Sequence, residues 1–134
     1  MKGLAETEGV TICLELLNSR VDHHDFMGDR MSFGLNLMYA VNSPRVRLLY
    51  DIYHMQIMEG DVIRTIRDHA AHIAHYHTGG VPGRREIDSS QELFYPAVCR
   101  AIAETGYTGF VGQEFIPSRD AMTSLREAVA ICDV

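Results

Sequence analysis

The chain has 134 residues, of which 46% are hydrophobic, and its 18 acidic and 12 basic residues give a formal charge of −6. This composition is typical of a globular protein that can bury a core, and the negative charge argues against nonspecific binding of nucleic acid. No apolar run is long enough to span a membrane, and residues 1–8 lack the apolar segment of a signal peptide. Three scattered cysteines indicate unpaired thiols in a reducing compartment, so the expected location is the cytoplasm.

Hydrophobic periodicity predicts helices and strands in alternation along the chain. A short helix over residues 2–8 is expected to end at Gly9, because glycine favours helix termination. Short apolar, β-prone runs predict strands, and a period near 3.6 residues predicts further helices. The predicted strands cover residues 10–16, 46–51, 72–77 and 108–115, and the later helices cover residues 31–42, 59–70, 91–104 and 119–131.

Four strand–helix units in succession indicate an α/β fold. A polar loop follows each predicted strand and a tight turn follows each later helix, as in parallel sheets with right-handed crossovers. No linker or low-complexity segment interrupts the sequence. The chain is therefore expected to form a single domain over residues 1–134.

Each predicted strand ends in a side chain that can bind a metal ion. These side chains are Glu15, Asp51, His77 and Glu114, separated by 36, 26 and 37 residues, which is close to one strand–helix unit each. The carboxyl ends of adjacent parallel strands meet at one edge of a sheet, so the four are expected to converge. Each acid taken alone is better explained as a helix cap or a loop ion pair. Four in register favour a metal site, and the oxygen-rich set suits Mn²⁺ or Mg²⁺, with Co²⁺ and Zn²⁺ as alternatives.

Other polar residues near these positions are expected to have structural roles. His75 shares a strand face with His77 and is expected to be a hydrogen-bonded core residue or to support the metal ligands. Glu86 is expected to pair with Arg84 or Arg85 within its own loop. The histidines that are expected to take no part in the site are His23, His24, His69 and His72.

Four segments around the candidate ligands resemble the hydroxypyruvate isomerases, which belong to the xylose isomerase-like superfamily of TIM-barrel sugar isomerases and epimerases. The segments are Leu14–Asn18, Tyr50–Gln56, Ala74–Arg84 and Gly112–Phe115. The match extends over nearly the whole chain, and the combination of motifs is more specific than any one of them. The positions that match the family's metal ligands are Glu15, Asp51, His77 and Glu114.

The resemblance also implies how these residues act. Glu15 and Glu114 are implied to move protons during isomerisation, while the metal, His54 and Arg84 hold the substrate oxygens. Converting a hydroxy-aldehyde to a hydroxy-ketone removes a proton beside a carbonyl and returns it one carbon away. Two carboxylates can serve as base and acid, and a divalent ion can stabilise the enediolate charge. The expected function is a metal-dependent isomerase of a small hydroxy-carbonyl compound or sugar, such as hydroxypyruvate, in which Arg84 can bind a substrate carboxylate.

The predicted elements account for only half of such a barrel. A TIM barrel needs eight strand–helix units in about 250 residues, so the resemblance assigns this chain to the C-terminal half. Its open strand edges and uncovered sheet face favour self-association into a homodimer or a higher homo-oligomer. An open sheet buried between subunits and a fragment of a longer enzyme are the alternatives. The alternative function is a non-catalytic, self-associating half-barrel that keeps the ligand residues but lacks a complete substrate pocket.

The apurinic-site endonucleases are distant relatives with similar ligand residues. They also need an Asp-x-His sequence in the third loop and a basic surface for DNA. Here that loop reads Arg84-Arg85-Glu86-Ile87-Asp88, and the net charge is negative. Nuclease activity is therefore not expected, and neither nucleic acid nor a membrane is an expected partner.

Overall fold

The computed structural model describes residues 1–134 and contains one sheet of four parallel strands, ordered β1-β2-β3-β4. The strands are β1 Ile12–Glu15, β2 Val46–Asp51, β3 Ile73–Thr78 and β4 Val111–Gln113. The helices are α1 Lys2–Glu8, α2 Met31–Val41, α3 Ile52–Met58, α4 Val62–His69, α5 Tyr95–Glu104 and α6 Ala121–Cys132, with a 3-10 turn over Ala70–His72. The predicted α/β class is confirmed. None of the helices has the length and apolar character needed to cross a membrane.

The structure contains one helix that the sequence pattern did not predict. α3 follows β2 without a loop, because Asp51 is both the last residue of β2 and the cap of α3, where its side chain accepts a hydrogen bond from the His54 backbone N–H at 3.2 Å. The helix predicted over residues 59–70 begins only at Val62, since Gly60 and Asp61 have positive φ angles that separate α3 from α4. β1 and β4 are shorter than predicted, as suits edge strands that pair on one side only.

The two faces of the sheet differ in burial. Leu48, Tyr50 and Tyr76 point towards the helices and are fully buried in the hydrophobic core. The alternate residues of β2, Arg47 and Leu49, lie on the opposite face and are only partly buried. Parallel sheets are normally covered on both faces. The partly open face therefore corresponds to the inner surface of a half-barrel.

Close backbone contacts fix the loop that follows β3. The Gly79 N–H donates to the Tyr95 hydroxyl at 2.9 Å, and this hydroxyl donates to the Gly79 carbonyl at 2.8 Å. The Gly80 N–H donates to the Arg85 carbonyl at 2.9 Å, which closes the loop on itself. A Cβ atom on Gly80 would clash with the Glu86 carbonyl oxygen and lie 3.0 Å from the Arg85 carbonyl oxygen. Only glycine permits this approach, and the loop it closes carries Arg84.

Replacing Gly80 by alanine is expected to destabilise the protein. The added Cβ atom meets backbone, which moves less easily than a side chain, so Gly80→Ala should lower the free energy of unfolding by about 1–3 kcal/mol. Gly3→Ala in α1 is the matched control, because no atom lies within 4 Å of the position that its methyl group would occupy and alanine favours a helix. Urea denaturation measures both changes. Equal stability of Gly80→Ala and the unsubstituted chain would contradict the assigned packing of the loop.

Candidate metal centre

Four side chains from the four strands meet at the carboxyl edge of the sheet. Asp51 ends β2 and is the register partner of His77 in β3, and Glu15 ends β1. Glu114 lies just beyond β4, where its N–H donates to the Thr78 carbonyl at 3.1 Å. One ligand atom from each of the four predicted site residues lies within 4.8 Å of the other three. The parallel register thus brings all four together, as the sequence pattern predicted.

His77 faces all three carboxylates through one ring nitrogen. Its Nδ1 is 3.0 Å from Glu114 Oε2, 3.8 Å from Glu15 Oε1 and 4.0 Å from Asp51 Oδ2. His77 Nδ1 and Glu15 Oε1 are both buried, and neither makes a hydrogen bond, because the 3.0 Å approach of His77 Nδ1 to Glu114 Oε2 lacks hydrogen-bond geometry. Most buried polar atoms in proteins have a partner, so a cation bound between these two atoms would satisfy both of them. Three carboxylates and an imidazole suit a divalent cation, so these residues fit a metal ion.

Arg84 brings a positive charge to the same carboxylates. Its Nη2 donates to Asp51 Oδ2 at 3.3 Å and to Glu114 Oε2, and its Cζ lies 5.2 Å from the centroid of the Tyr53 ring. The Arg84 backbone has a φ angle of 56°, a left-handed conformation that costs energy in a residue with a Cβ atom. The loop therefore holds this guanidinium against the cluster in spite of a local cost.

The three carboxylates respond differently to burial and charge. Burial raises the pKa of Asp51 to about 7, even though the His54 N–H and Arg84 favour its ionised form. Burial, and then the nearby Glu114 charge, raises the pKa of Glu15. Burial also opposes ionisation of Glu114, but Arg84 and then His77 outweigh it and lower the pKa of that group. Close packing of three acids therefore demands positive charge, which a bound cation would supply.

His54 lies beside the cluster and is fully buried. Its Nδ1 accepts a hydrogen bond from the Asn18 backbone N–H at 3.2 Å and lies 2.7 Å from Asn18 Nδ2. Its Nε2 lies 3.8 Å from Asp51 Oδ2 and has no hydrogen-bond partner. Burial, followed by the charge of Arg84, lowers the pKa of His54 to about 4, so the imidazole is neutral near pH 7.

The sequence pattern missed two residues that contact His54 and Arg84. Asn18 is fully buried against His54, and Tyr53 lies beneath Arg84. The position of Asn18, three residues after Glu15 in the loop that follows β1, is the signal that could have identified it. His23, which was expected to have no role, packs edge-on against His54 with ring centroids 5.4 Å apart.

One of the two roles predicted for His75 required a fully buried core residue, and His75 is not fully buried. It is partly exposed on the inner face and packs edge-on against His77, with ring centroids 4.9 Å apart. Gly112 leaves room for both rings, because a Cβ atom there would lie 2.9 Å from His77 Cδ2 and 3.2 Å from His75 Nε2. His75 therefore contacts a candidate ligand directly.

Comparison with known proteins identifies the family of this chain. The family model for the xylose isomerase-like TIM barrel matches residues 1–132. The chain belongs to this family. The 2-oxo-tetronate isomerase of Cupriavidus necator is 34% identical over 113 residues, covering 84% of this chain and 43% of that protein. The hydroxypyruvate isomerase of Escherichia coli is 32% identical over 114 residues, covering 83% of this chain and 44% of that protein.

A solved structure gives the same result for the fold. The crystal structure of AP endonuclease, family 2, from Brucella melitensis matches with a TM-score of 0.89 and 30% identity, covering 96% of this chain and 49% of that one. The chain thus spans about half the length of these relatives. The resemblance and the half-barrel assignment made from the sequence are both confirmed.

One prediction about this xylose isomerase-like half-barrel was wrong. Glu86 does not pair with Arg84 or Arg85. It is buried and accepts hydrogen bonds from the Ser118 N–H and hydroxyl, both at 2.8 Å, and from the Ser124 hydroxyl at 2.9 Å. Burial opposes ionisation, but hydrogen bonds from the backbone and these hydroxyls outweigh it and lower the pKa of Glu86 to about 2. Glu86 therefore ties the loop that carries Arg84 to α6.

The low pKa of Glu86 predicts a pH-dependent contribution to stability. A carboxyl group whose pKa is lower in the folded than in the unfolded state stabilises the fold above the unfolded value of about 4.3, and loses this effect as the pH falls towards 2. Glu86→Gln should therefore lower the melting temperature more at pH 7 than at pH 3, where more than half of this effect is lost. Glu8→Gln, at an exposed position of α1, is the control and should change little at either pH. Thermal unfolding followed by circular dichroism gives the comparison, and an equal loss at both pH values would refute the assigned ionisation.

Proposed function

We propose that Glu15, Asp51, His77 and Glu114 bind one divalent metal ion. The observation that carries this proposal is the convergence of four donor atoms within 4.8 Å, two of which are buried and unpartnered. Carboxylate oxygens with one imidazole nitrogen favour Mn²⁺ or Mg²⁺, with Co²⁺ and Zn²⁺ as alternatives. Bound there, the ion would act as a Lewis acid that polarises the oxygens of a substrate and stabilises negative charge on them.

The chain is proposed to act as a metal-dependent isomerase of a small hydroxy-carbonyl compound or sugar, of the hydroxypyruvate isomerase type. Both curated relatives described above are named isomerases. The reaction requires removal of a proton from the carbon beside a carbonyl and its return to the neighbouring carbon. Glu15 and Glu114 are proposed to carry out these transfers as base and acid, because they come from the two outer strands and can reach a substrate from two sides.

His54 and Arg84 are proposed to hold the substrate. The Nε2 of His54 is buried, unpartnered and beside Asp51, so a substrate oxygen would satisfy it. The Arg84 guanidinium lies at the rim of the same cluster, where its fork of N–H groups suits a carboxylate or paired oxygens of a substrate. A substrate oxygen held there would give the buried His54 Nε2 the hydrogen-bond partner that it otherwise lacks.

The half-barrel, proposed as a single domain over residues 1–134, is also proposed to self-associate. β1 and β4 are both free on one side, and exposed apolar side chains follow each edge. Near β1 these are Met1, Leu4 and Val10, and near β4 they are Phe110, Met122, Leu125 and Val129. A second copy related by a two-fold axis would set β4 of each chain beside β1 of the other and give eight strands. Such closure would also cover the inner face of the sheet.

One observation favours the second candidate function, a non-catalytic self-associating half-barrel. The inner face of the sheet leaves Arg47, Leu49 and His75 partly exposed, so one chain alone supplies only one wall of a substrate pocket. Under this alternative the four ligand residues remain but the pocket is not completed. Metal binding combined with an activity assay separates the two functions.

The proposed partners are a small-molecule substrate and a second copy of the chain. Nucleic acid is not proposed, although one similar structure carries a nuclease name, because the net charge is −6 and the loop at residues 84–88 lacks an Asp-x-His sequence. The cytoplasm is the proposed location, because the three cysteines are free thiols.

Isothermal titration tests the metal site. The chain should bind one Mn²⁺ per four-residue cluster, and Glu114→Gln should weaken binding by more than about 100-fold, since supporting residues alone are worth 10–100-fold. Glu104→Gln is the matched control, because Glu104 pairs with Arg67 on an exposed surface. Absence of Mn²⁺, Mg²⁺, Co²⁺ and Zn²⁺ binding by the folded chain would contradict the proposal.

An isomerase assay with hydroxypyruvate and related hydroxy-carbonyl compounds tests the catalytic roles. Glu15→Gln and Glu114→Gln should each reduce turnover by about 10²–10⁴-fold, the usual contribution of a general acid or base. Glu104→Gln should retain activity. Metal binding by the unsubstituted chain without any turnover would favour the non-catalytic half-barrel.

Light scattering at micromolar concentration tests self-association. The chain should show at least twice its monomeric mass, and Val129→Asp, which places a charge in the apolar stripe of α6, should shift the mass towards the monomer. Tyr39→Asp is the control, because Tyr39 is similarly exposed but lies in α2, which packs against the central strand β2. A monomeric mass for the unsubstituted chain would rule out the dimer.

A further inference from the structure

We propose that Asn18 is a positioning residue that fixes which nitrogen of His54 carries the proton. It holds Nδ1 as a hydrogen-bond acceptor and leaves Nε2–H as a neutral donor directed at the metal centre. The inference rests on the proposed function only where it assigns this donor to a substrate oxygen. The tautomer itself follows from hydrogen bonds within the chain.

The orientation of the Asn18 amide is determined by its neighbours. Its Oδ1 accepts hydrogen bonds from the backbone N–H groups of Val21 and Asp22, both at 3.0 Å. Its Nδ2 donates to Asp22 Oδ2 at 2.7 Å. Backbone N–H groups can only donate and a carboxylate can only accept, so the amide oxygen and nitrogen cannot be exchanged. Nδ2 is therefore the atom that lies 2.7 Å from His54 Nδ1.

This amide and the backbone of the same residue determine the tautomer of His54. Two N–H groups of Asn18, the backbone at 3.2 Å and Nδ2 at 2.7 Å, point at His54 Nδ1. A protonated Nδ1 would place its own hydrogen against both donors. Nδ1 therefore carries the lone pair, and in the neutral ring the proton resides on Nε2.

A second contact makes this arrangement rigid. Asp22 Oδ2 accepts hydrogen bonds from Asn18 Nδ2 and from the Tyr53 hydroxyl at 2.8 Å. Tyr53 precedes His54 in α3, and its ring lies below Arg84. The loop after β1 is thus fastened to the helix that carries His54. Asn18 and His54 are themselves fully buried, so rotation of the imidazole would break hydrogen bonds that are shielded from solvent.

The fixed tautomer has a consequence for the choice of substrate. A neutral Nε2–H offers one donor and no acceptor, so it selects for a hydroxyl or carbonyl oxygen that accepts a hydrogen bond. A substrate analogue lacking that oxygen would leave the buried N–H unpaired, which is the condition under which enzymes discriminate strongly. Asn18 would thereby act on specificity through His54 without touching the substrate.

Nuclear magnetic resonance of the ring nitrogens tests this inference directly. Metal-free protein labelled with ¹⁵N-histidine is observed by long-range ¹H–¹⁵N correlation near pH 7, and His54→Gln identifies the His54 signals among the seven histidines. We expect an unprotonated Nδ1 and a protonated Nε2. In Asn18→Asp, a carboxylate oxygen replaces the Nδ2 donor at 2.7 Å from Nδ1, and its attraction for a proton exceeds the effect of the backbone N–H that remains at 3.2 Å, so Nδ1 should become protonated. Tyr53→Phe, which removes a hydroxyl from the network but no donor to His54, should keep the original tautomer.

The outcomes are distinct. An Nδ1-protonated His54 in the unsubstituted chain overturns the proposal, even if Asn18→Asp fails to fold. A folded Asn18→Asp that keeps the Nε2–H tautomer also overturns it. The expected tautomer and its shift in Asn18→Asp support the positioning role whether or not the isomerase assay detects turnover, so a failure of the proposed function is recognised separately.

Discussion

Every candidate functional group depends on the parallel register of four consecutive strands. Parallel pairing places the carboxyl ends of β1, β2, β3 and β4 at one edge, so that residues up to 99 positions apart in the chain meet within 4.8 Å. A shift of one residue in one strand would turn its ligand to the opposite face of the sheet. The packing of Leu48, Tyr50 and Tyr76 against the helices resists such a shift, because it would expose these buried side chains. The core therefore fixes the geometry of the site.

The cost of this geometry is electrostatic. Two unit charges 4.8 Å apart repel by about 3.5 kcal/mol at an effective dielectric constant of 20, which is a large fraction of the roughly 5–15 kcal/mol that stabilises a domain. Arg84 offsets part of the repulsion between Asp51 and Glu114. Burial, with a smaller contribution from Glu114, still raises the pKa of Asp51 to about 7. A cation bound between these carboxylates would relieve the repulsion that Arg84 leaves. The same close packing that opposes ionisation of the carboxylates thus makes them suitable as metal ligands.

The sequence predicted the features that follow from periodicity. It did not predict a helix that follows a strand without a loop, or hydrogen bonds between residues that are distant in the chain. Alternation of apolar runs predicted four strands and placed Glu15, Asp51, His77 and Glu114 in register. The pattern could not show α3, because Asp51 ends a strand and caps a helix at once. It also could not show that Glu86 binds Ser118 and Ser124, more than 30 residues away. The buried network around Asn18 was missed because short polar residues in a loop are usually exposed.

The half-barrel poses the remaining structural problem, since the sheet that creates the site leaves two edges and one face without a partner. The proposed metal site nevertheless lies within one chain, where four side chains from four strands are proposed to share one divalent cation. Anomalous diffraction from crystals soaked in Mn²⁺ tests it most directly. A shared cation should give a single strong peak between the side chains of Glu15, Asp51, His77 and Glu114. A peak at another position, or none in crystals that contain the ordered cluster, would contradict it.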